Sequence, residues 1–301
     1  MVDTRASLTP MGGATADALP EEVVAALTGV CDLCARCIGQ RLRGVLLHGS
    51  AAMGCFRAGL SDLDILLVAE TPLPPHVRHR FSTGLLGLGG RPHPIEISVI
   101  DSRRGAVLMH PTPFDFHYSE AHRAATAERI ATGPLSFRGH AAGHDADLAA
   151  HVAMARARGL ALIGSAPRDL LPAVRVCDLL HAVAADLRWA MENARSSPLY
   201  AVLNACRAIA LAESGVLLSK AEGVAAALPR LAVRSRSTAR RAGKIYAGET
   251  GALDPAQVTS ILDRAIEFIG VRANRHLTPD RFSDTIIMVI SQFAQWWWPP
   301  R

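Results

Sequence analysis

Two aspartates at the start of a short apolar run constrain this chain more than any other feature. Asp62 and Asp64 are separated by one residue, and the apolar run from Ile65 to Val68 follows them. Such a run predicts a strand, here from Asp62 to Val68, and side chains two residues apart on a strand share one face. Two carboxylates a few ångströms apart repel by about 4 kcal/mol at an effective dielectric constant of ~20. A buried pair therefore needs a cation or a proton. Mg²⁺ is the favoured cation because it binds one or two carboxylates together with phosphate oxygens and water.

A turn and a third acid surround this pair in the sequence. Gly49-Ser50 ends another predicted strand, Val45 to His48. Its glycine permits close approach of the backbone to a phosphate, and its serine offers a hydroxyl and an N–H at a predicted helix start. Glu96 lies in a strand predicted from Ile95 to Ile100, where a charge is costly unless it is paired or bound to metal. We interpret Glu96 as a catalytic carboxylate rather than an exposed edge residue. Together these residues indicate metal-dependent phosphoryl or nucleotidyl transfer.

Length and pattern predict two domains. The chain has 301 residues, of which 50% are hydrophobic and 20% charged, a composition that excludes a disordered protein. Helical and strand patterns alternate at first, with an edge strand predicted from Phe114 to Tyr118 and a helix from Asp145 to Arg158. Helical periods dominate from about residue 174, and one of these helices is predicted from Ser237 to Tyr246. We predict an α+β protein in which a nucleotidyltransferase domain with a mixed sheet and flanking helices precedes an all-α helical bundle. The expected boundaries are a flexible tail at 1–19, the catalytic domain at 20–170 and a helical domain at 171–301 that completes the ATP and acceptor sites.

The net charge, the cysteines and the two chain ends further restrict the class of protein to which this chain can belong. A net charge of +5 suits an anionic ligand such as a nucleoside triphosphate or a nucleic acid. The C-x-x-C-x-x-C motif from Cys31 to Cys37 lies in a helix predicted over Glu21 to Gln40, which favours buried cysteines over a metal or redox site. The N-terminus lacks a basic-then-apolar signal segment, and the charge-free run from Thr285 to Pro300 is too short to span a bilayer. We expect a cytoplasmic protein without a membrane partner. Trp296 to Trp298, in a helix predicted from Phe282, is interpreted as a packing or dimer contact.

The acidic residues and the turn carry a family resemblance. Gly49-Ser50, the segment from Ser61 to Asp64, and Glu96 resemble the signature of the DNA polymerase β-like nucleotidyltransferases. Within that superfamily, the chain resembles the adenylyltransferases that modify streptomycin or spectinomycin at the 3″ or 9 hydroxyl. The similarity covers roughly residues 25–250 and extends to three later segments: Asp145 to Leu171, Asn204 to Arg207 and Leu217 to Lys220.

This resemblance implies a reaction in which AMP passes from ATP to an alcohol and pyrophosphate is released. Asp62, Asp64 and Glu96 would bind Mg²⁺, with two ions expected, and Glu96 would also act as the general base for the acceptor hydroxyl. Cationic side chains would neutralise the departing pyrophosphate. The residues implied in ATP binding are Gly49, Ser50, Ser61, Arg207, Lys220 and Tyr246.

The sequence departs from the family where the acceptor is expected to bind. The resistance enzymes carry a tryptophan after the strand that follows the catalytic glutamate, whereas this chain has none between Phe116 and His122. Trp189 matches a second family tryptophan, which packs against streptomycin, but the aspartates expected after it are missing. The acceptor is expected to be small, hydroxylated and cationic, and to bind in an acidic cleft. The predicted acceptor contacts are His117, Glu120, Trp189 and Glu192, with His110, His122 and Asp186 as further candidates.

Three alternatives to an aminoglycoside or aminocyclitol acceptor stay open at this point. The same chemistry would serve a natural-product precursor or another metabolite. RNA would bind the basic stretch from Arg230 to Lys244, but this segment lacks interleaved aromatic residues for base stacking and is disfavoured. A degenerate, non-enzymatic binding module is disfavoured because all three carboxylates are present. We expect a monomer or a homodimer.

Overall fold

The computed structural model describes residues 19–90, 93–103, 105–137 and 143–276. The chain divides into two compact units, Met1–Arg175 and Val176–Arg301. Three predictions lie outside the described residues, namely the tail before residue 19, the helix from Phe282 and the tryptophans at 296–298.

A mixed five-stranded sheet forms the centre of the first unit. Its strand order is β5-β3-β2-β1-β7; β2 and β3 are parallel, and the other neighbouring pairs are antiparallel. A separate ribbon pairs β4 with β6. The strands are β1 Leu42–His48, β2 Leu63–Ala69, β3 Ile95–Asp101, β4 Thr112–Phe114, β5 Phe116–Tyr118, β6 Gly143–Asp145 and β7 Leu160–Ile163. The helices are α1 Glu21–Ile38, α2 Gly49–Ala52, α3 Pro75–Leu88, α4 Arg123–Thr132, α5 Leu148–Arg158 and α6 Pro167–Leu170.

The two faces of this sheet differ in chemistry. One face is apolar: alternate residues such as Val45, Ile65 and Ile97 join the buried core that also contains α1 and α3. In α1, buried residues recur at helical spacing, which is why this segment is a helix with one face against the sheet. The opposite face carries Asp64 and Glu96 at one end, and buried apolar residues such as Leu66 and Ile100 lie further along the same face. The sheet is therefore anchored on one side and presents acidic groups on the other.

A buried ion pair joins α3 to the segment between β4 and β5. Arg78 Nη2 donates to Asp115 Oδ1 at 2.7 Å, and both side chains are almost fully buried. Asp115 also accepts the backbone N–H of Leu73, and Arg78 donates to the carbonyl oxygen of Phe137. Because Asp115 is held in this way, the predicted edge strand from Phe114 to Tyr118 is wrong as a single element. The chain instead passes from the ribbon, β4, to the main sheet, β5.

Two further boundaries differ from the sequence-based predictions. β2 begins at Leu63, whose N–H donates to Pro94, so Asp62 lies directly before the strand rather than within it. The helix predicted from Asp145 begins only at Leu148. Asp145 pairs with Thr112 in the ribbon, and its carboxylate accepts the N–H of Asp147. Such a local side-chain bond stabilises a turn in place of a helix start.

The second unit is helical throughout its described part. Its helices are α7 Val176–Glu192, α8 Pro198–Ser214, α9 Lys220–Ala227, α10 Val233–Tyr246 and α11 Pro255–His276. α8 is the most buried of them and packs with α7, α9, α10 and α11 around an alanine- and leucine-rich core. Ser219 and Glu222 form a reciprocal capping box that fixes the start of α9. The predicted mixed sheet is confirmed, and so are the helices predicted for the described part of this unit, although α10 begins one turn before its expected start at Ser237.

The cysteine motif is structural. Cys34 and Cys37 are buried in α1 and Cys31 is half-buried, as expected from the helical pattern. Burial, followed by the charge of Asp32, raises the pKa of Cys31 to about 11, so its thiol is unreactive near neutral pH. Across the described ranges, no group of three or more histidine, cysteine or acidic side chains is arranged to hold a metal ion. Within those ranges, too, no helix combines the length and apolar character needed to cross a bilayer.

Candidate active site

Three polar residues form a row across the central strands. His48 on β1 pairs with Asp64 on β2, and Asp64 pairs in turn with Glu96 on β3. Residues directly opposite each other on neighbouring strands point to the same face. The strand register therefore places His48, Asp64 and Glu96 side by side on the face opposite the apolar core. We call these three residues the sheet row.

The segment before β2 contributes Ser61 and Asp62. Asp62 is exposed directly before the first strand residue. Ser61 is buried, and its Oγ accepts the backbone N–H of Arg57 at 3.1 Å. The structure thus uses Ser61 to close the loop from 57 to 61. Its predicted contact with a triphosphate stays a prediction.

Gly49 is required at the end of β1 for two physical reasons. Its φ of +66° lies in the left-handed region that side chains disfavour. A Cβ at this position would lie 1.8 Å from Asp64 Oδ2, so only glycine leaves space for that carboxylate. The sequence predicted that Gly49 lets the backbone approach a phosphate closely. In the structure, the group that lies close to Gly49 is the Asp64 carboxylate. Ser50 follows in the first turn of α2 and is half-buried.

A histidine from α5 lies over the sheet row. His151 Nδ1 is 3.9 Å from Glu96 Oε1, and His151 Nε2 is 3.4 Å from Asp147 Oδ2. Burial disfavours its charged form, but Asp147, Glu96 and Asp64 outweigh this effect and raise the pKa of His151 to about 10. His151 is therefore a cation at neutral pH. It places positive charge beside the carboxylates of the sheet row.

His48 is in the opposite protonation state. Its ring centroid is 5.2 Å from that of His151, and its side chain is buried. Burial, followed by the positive charge of His151, lowers the pKa of His48 well below its ordinary value. The sheet row therefore consists of a neutral imidazole and two acidic positions.

The edge strand β5 extends this face. His117 pairs with Ser98 on β3, and Ser98 Oγ lies 2.9 Å from His117 Nδ1. The His117 ring is within 6 Å, centroid to centroid, of Phe114 and His122. Burial lowers the pKa of His117 against the opposing charges of Glu96 and Asp145. The predicted acceptor contact His117 thus lies on the same sheet face as Glu96, next to an aromatic and histidine surface.

Glu120 is not brought to this face. Its Oε1 accepts the Tyr118 hydroxyl at 3.2 Å, and its Oε2 pairs with Arg123 at 3.4 Å. Tyr118 is one residue from His117 on β5, so its side chain points to the opposite face, where it belongs to the apolar core. Glu120 is held by a structural network there.

A second cluster lies in the helical unit around Lys220. Lys220 Nζ is 5.8 Å from the ring centroid of Tyr200 and 5.7 Å from that of Tyr246. The Tyr200 hydroxyl donates to Asp186 Oδ1 at 2.5 Å, and Asn204 donates to Asp186 Oδ2 at 3.0 Å. We call these five residues the lysine cluster. It brings together three residues expected from the sequence: Lys220 and Tyr246, predicted to bind ATP, and Asp186, a candidate acceptor contact.

Two other residues predicted from the sequence, Arg207 and Trp189, contact the lysine cluster. Arg207 donates to the carbonyl of Leu218 at 3.1 Å and to Asn204 Oδ1 at 3.3 Å. Trp189 packs edge-on against Tyr200, and 47% of it is exposed. Glu192 is exposed at the end of α7.

Sequence reasoning missed two prominent site residues, Tyr200 and His151. Tyr200, Asn204 and Arg207 recur at spacings of four and three on one helix, which predicts a shared face. His151 follows Asp147 by four residues at the start of a helix, a spacing that places them together. Helical spacing was thus the available signal in both cases.

Three basic side chains of helix α10 form ion pairs or hydrogen bonds with residues close to them in the chain. Arg241 and Lys244 both form ion pairs with Glu249. Arg236 donates to the backbone carbonyls of Leu231 and Pro229. Three cations in the stretch considered for RNA contact, Arg236, Arg241 and Lys244, are therefore already bound to other groups of the protein.

Comparison with known proteins adds independent information. Residues 169–267 match the family model described as aminoglycoside adenylyltransferase, C-terminal domain. Spectinomycin 9-adenylyltransferases of Staphylococcus aureus strains Mu50 and N315 are each 26% identical over 237 residues, covering 77% of this chain and 86% of the relative. The chain is therefore similar to the aminoglycoside adenylyltransferases, both in this C-terminal domain and over most of its length. The resemblance drawn from the sequence is confirmed, and the protein is an enzyme of the nucleotidyltransferase class.

The fold of this adenylyltransferase is shared with a solved structure. That structure is the spectinomycin adenyltransferase AAD(9) from Enterococcus faecialis with ATP and spectinomycin. It superposes with a TM-score of 0.69 at 18% identity, covering 80% of this chain and 98% of that protein. At this identity the comparison establishes the common fold.

Proposed function

We propose that this protein catalyses the Mg²⁺-dependent transfer of AMP from ATP to a hydroxyl of an aminoglycoside or aminocyclitol, with spectinomycin or streptomycin as acceptor. The single observation that carries the proposal is the in-register pairing of Asp64 with Glu96 on one sheet face. The relatives named spectinomycin 9-adenylyltransferase support spectinomycin as the first acceptor to test.

Glu96 is the proposed general base. Its carboxylate takes the proton of the acceptor hydroxyl as that oxygen attacks the α-phosphorus of ATP. A new P–O bond forms to the acceptor, and the bond between the α-phosphorus and the pyrophosphate oxygen breaks. The products are the adenylylated alcohol, pyrophosphate and a proton.

The donor set suits magnesium. Asp62, Asp64 and Glu96 offer carboxylate oxygens, which are the protein ligands that Mg²⁺ prefers. Among the described residues, no three such side chains lie close enough to hold an ion by themselves, so water and phosphate oxygens would have to complete its shell. When bound, the two expected ions would neutralise negative charge on the triphosphate.

Lys220 and Arg207 are proposed to bind the phosphates of ATP, with Tyr246 supporting Lys220. A cation held by two aromatic rings is oriented without losing its charge. The two hydrogen bonds of Arg207 described above go to neutral oxygens, so they orient the guanidinium and leave its charge in place. Both side chains therefore retain positive charge suited to a polyanion.

An acceptor panel tests the proposed function directly. The protein is incubated with ATP, Mg²⁺ and spectinomycin, streptomycin or other aminoglycosides, and pyrophosphate release is measured together with the mass of each drug. We expect pyrophosphate release and the gain of one AMP by at least one aminocyclitol or aminoglycoside. Failure of every drug in the panel would contradict the proposed acceptor class.

Glu96→Gln provides the matched control for that assay. We expect retained ATP binding and a loss of turnover of roughly 10²-fold or more, since removal of a general base costs about this much. Weak ATP binding in the variant would instead make Glu96 chiefly a metal ligand.

A different small-molecule acceptor is the second candidate. The surface of Phe114, His117 and His122 beside Glu96 favours it, because a polycationic drug gains little from histidine side chains. This second function would be established if no aminoglycoside reacted and the protein transferred a nucleotide to a natural-product precursor.

A further inference from the structure

A histidine outside the strands occupies a defined place between two acids. His151 begins the second turn of α5, which contacts β1 and α2. One ring nitrogen faces Glu96 at 3.9 Å, and the other faces Asp147 at 3.4 Å. The proposed reaction assigns no role to the side chain of His151.

We propose that His151 is a positioning residue for Glu96, held by Asp147 on its far side, and that it fixes the carboxylate in the orientation needed for proton transfer. The inference rests on the proposed function, because it assigns His151 a part in the same reaction. His151 acts through Glu96 and need not touch the acceptor.

The surroundings of His151 fix its ring. Asp147 lies four residues earlier, so the helix itself brings this carboxylate beside Nε2. The buried ring of His48 packs against another side of the imidazole at a centroid distance of 5.2 Å. A ring held from two directions has few rotamers left, and its Nδ1–H keeps a fixed direction toward Glu96.

The contact restricts where the Glu96 carboxylate can lie. Glu96 neighbours Asp64 across the sheet, and His151 Nδ1 lies 3.9 Å from Glu96 Oε1. The imidazole therefore limits the positions open to the flexible glutamate side chain. A misplacement of about 1 Å in a reacting group can cost roughly 10²-fold in rate, so such orientation is kinetically important.

Kinetics of matched variants test the proposal. His151→Ala is expected to lower kcat by about 10- to 100-fold, with KM for ATP and acceptor changed less than about threefold. His151→Asn retains an N–H near the Nδ1 position and should recover part of the lost kcat. His79→Ala is the control, because His79 is also half-buried and its Nε2 lies 3.2 Å from a backbone carbonyl oxygen, that of Ile130. It should lose stability without losing kcat.

A double variant separates positioning from general structural damage. If His151 acts through Glu96, then His151→Ala should cost little when Glu96→Gln is already present. Equal fold losses in both backgrounds would overturn the proposal, as would an effect confined to KM.

An NMR measurement tests the contact between His151 and Glu96 without depending on catalysis. Glu96→Gln should shift the ring-proton resonances of His151 at constant pH, and the His79 resonances should stay in place. Unmoved His151 resonances would overturn the contact itself. Absence of drug adenylylation by the wild-type protein would instead contradict the proposed function, so the two failures are distinguishable.

Discussion

The sheet row and the lysine cluster are assembled by different physical means. Backbone pairing sets the row: once β1, β2 and β3 align, His48, Asp64 and Glu96 must be neighbours. Side chains build the cluster, in which Tyr200 and Tyr246 hold Lys220 from two helices. A strand ladder places groups rigidly, whereas long side chains keep rotamer freedom. The row therefore suits chemistry that needs exact placement, and the cluster suits charge neutralisation. Substitutions in the row should affect kcat, and those in the cluster should affect ATP binding.

The largest effect is expected at the centre of the row. Asp64→Asn removes a negative ligand while keeping the side-chain shape, and turnover should fall by about 10³-fold or more, equivalent to about 4 kcal/mol. The measurement is pyrophosphate release at saturating ATP and Mg²⁺. Unchanged turnover would remove Asp64 from the mechanism.

Gly49→Ala should produce the next largest effect. The new Cβ would overlap the Asp64 carboxylate, so we expect about a 10²-fold loss of kcat, together with about 1–2 kcal/mol of backbone strain. Gly54→Ala is a matched control, because Gly54 has a φ of +69° and nothing within 4 Å of its added Cβ. Both variants should lose similar stability in urea unfolding, and only Gly49→Ala should lose turnover. Equal kcat values would show that the Asp64 carboxylate does not need this space.

Tyr200 tests the cluster side of the comparison. Tyr200→Leu removes one ring beside Lys220 and should raise the KM for ATP about two- to fivefold with little change in kcat, as expected from a cation–π energy of about 0.5–1 kcal/mol. Tyr200→Phe keeps the ring and loses the bond to Asp186, so it should lower the free energy of unfolding by about 1–2 kcal/mol with a smaller change in KM. A change in kcat alone would contradict this division between row and cluster.

The smallest effect is expected at the far end of β3, where Asp101 is structural. Burial opposes ionisation, but hydrogen bonds from Arg103 and Thr71 outweigh it and lower the pKa of Asp101 to about 2. A depressed pKa gives stability that is present above about pH 4 and is lost as pH falls toward 2. Asp101→Asn should therefore reduce the free energy of unfolding at pH 7 by no more than about 1 kcal/mol, because its partner Arg103 is largely exposed and solvent screens the pair. The difference from wild type should shrink between pH 4 and pH 2, and kcat should be unchanged. A difference that grew over that range would contradict the assignment.

Part of the site followed from local sequence pattern. Apolar runs predicted β1, β2 and β3, and these placed Asp64 and Glu96 on strands. The ends of elements were less predictable: Asp62 proved to precede β2, and Asp145 belongs to a ribbon. In both places a long-range backbone bond, to Pro94 or to the β4 strand, overrides the local pattern.

Other features required the folded chain. Glu120 follows β5 in sequence near His117, but its partners Tyr118 and Arg123 hold it on the opposite side of the sheet. The need for glycine at 49 arises from Asp64, a residue fifteen positions away. Such relations depend on which strands pair and in what register, and a single sequence does not encode register in any local signal.

By itself, the sequence determined the chemistry that this protein carries: spaced acids beside a glycine turn, a later glutamate, and helices with apolar faces. These follow from residue type and period, which act locally. Only the tertiary structure decided that His48, Asp64 and Glu96 form one row, that His151 lies above it, and that two tyrosines hold Lys220. Those contacts join residues far apart in the chain, and their formation depends on packing and strand register rather than on neighbouring residues.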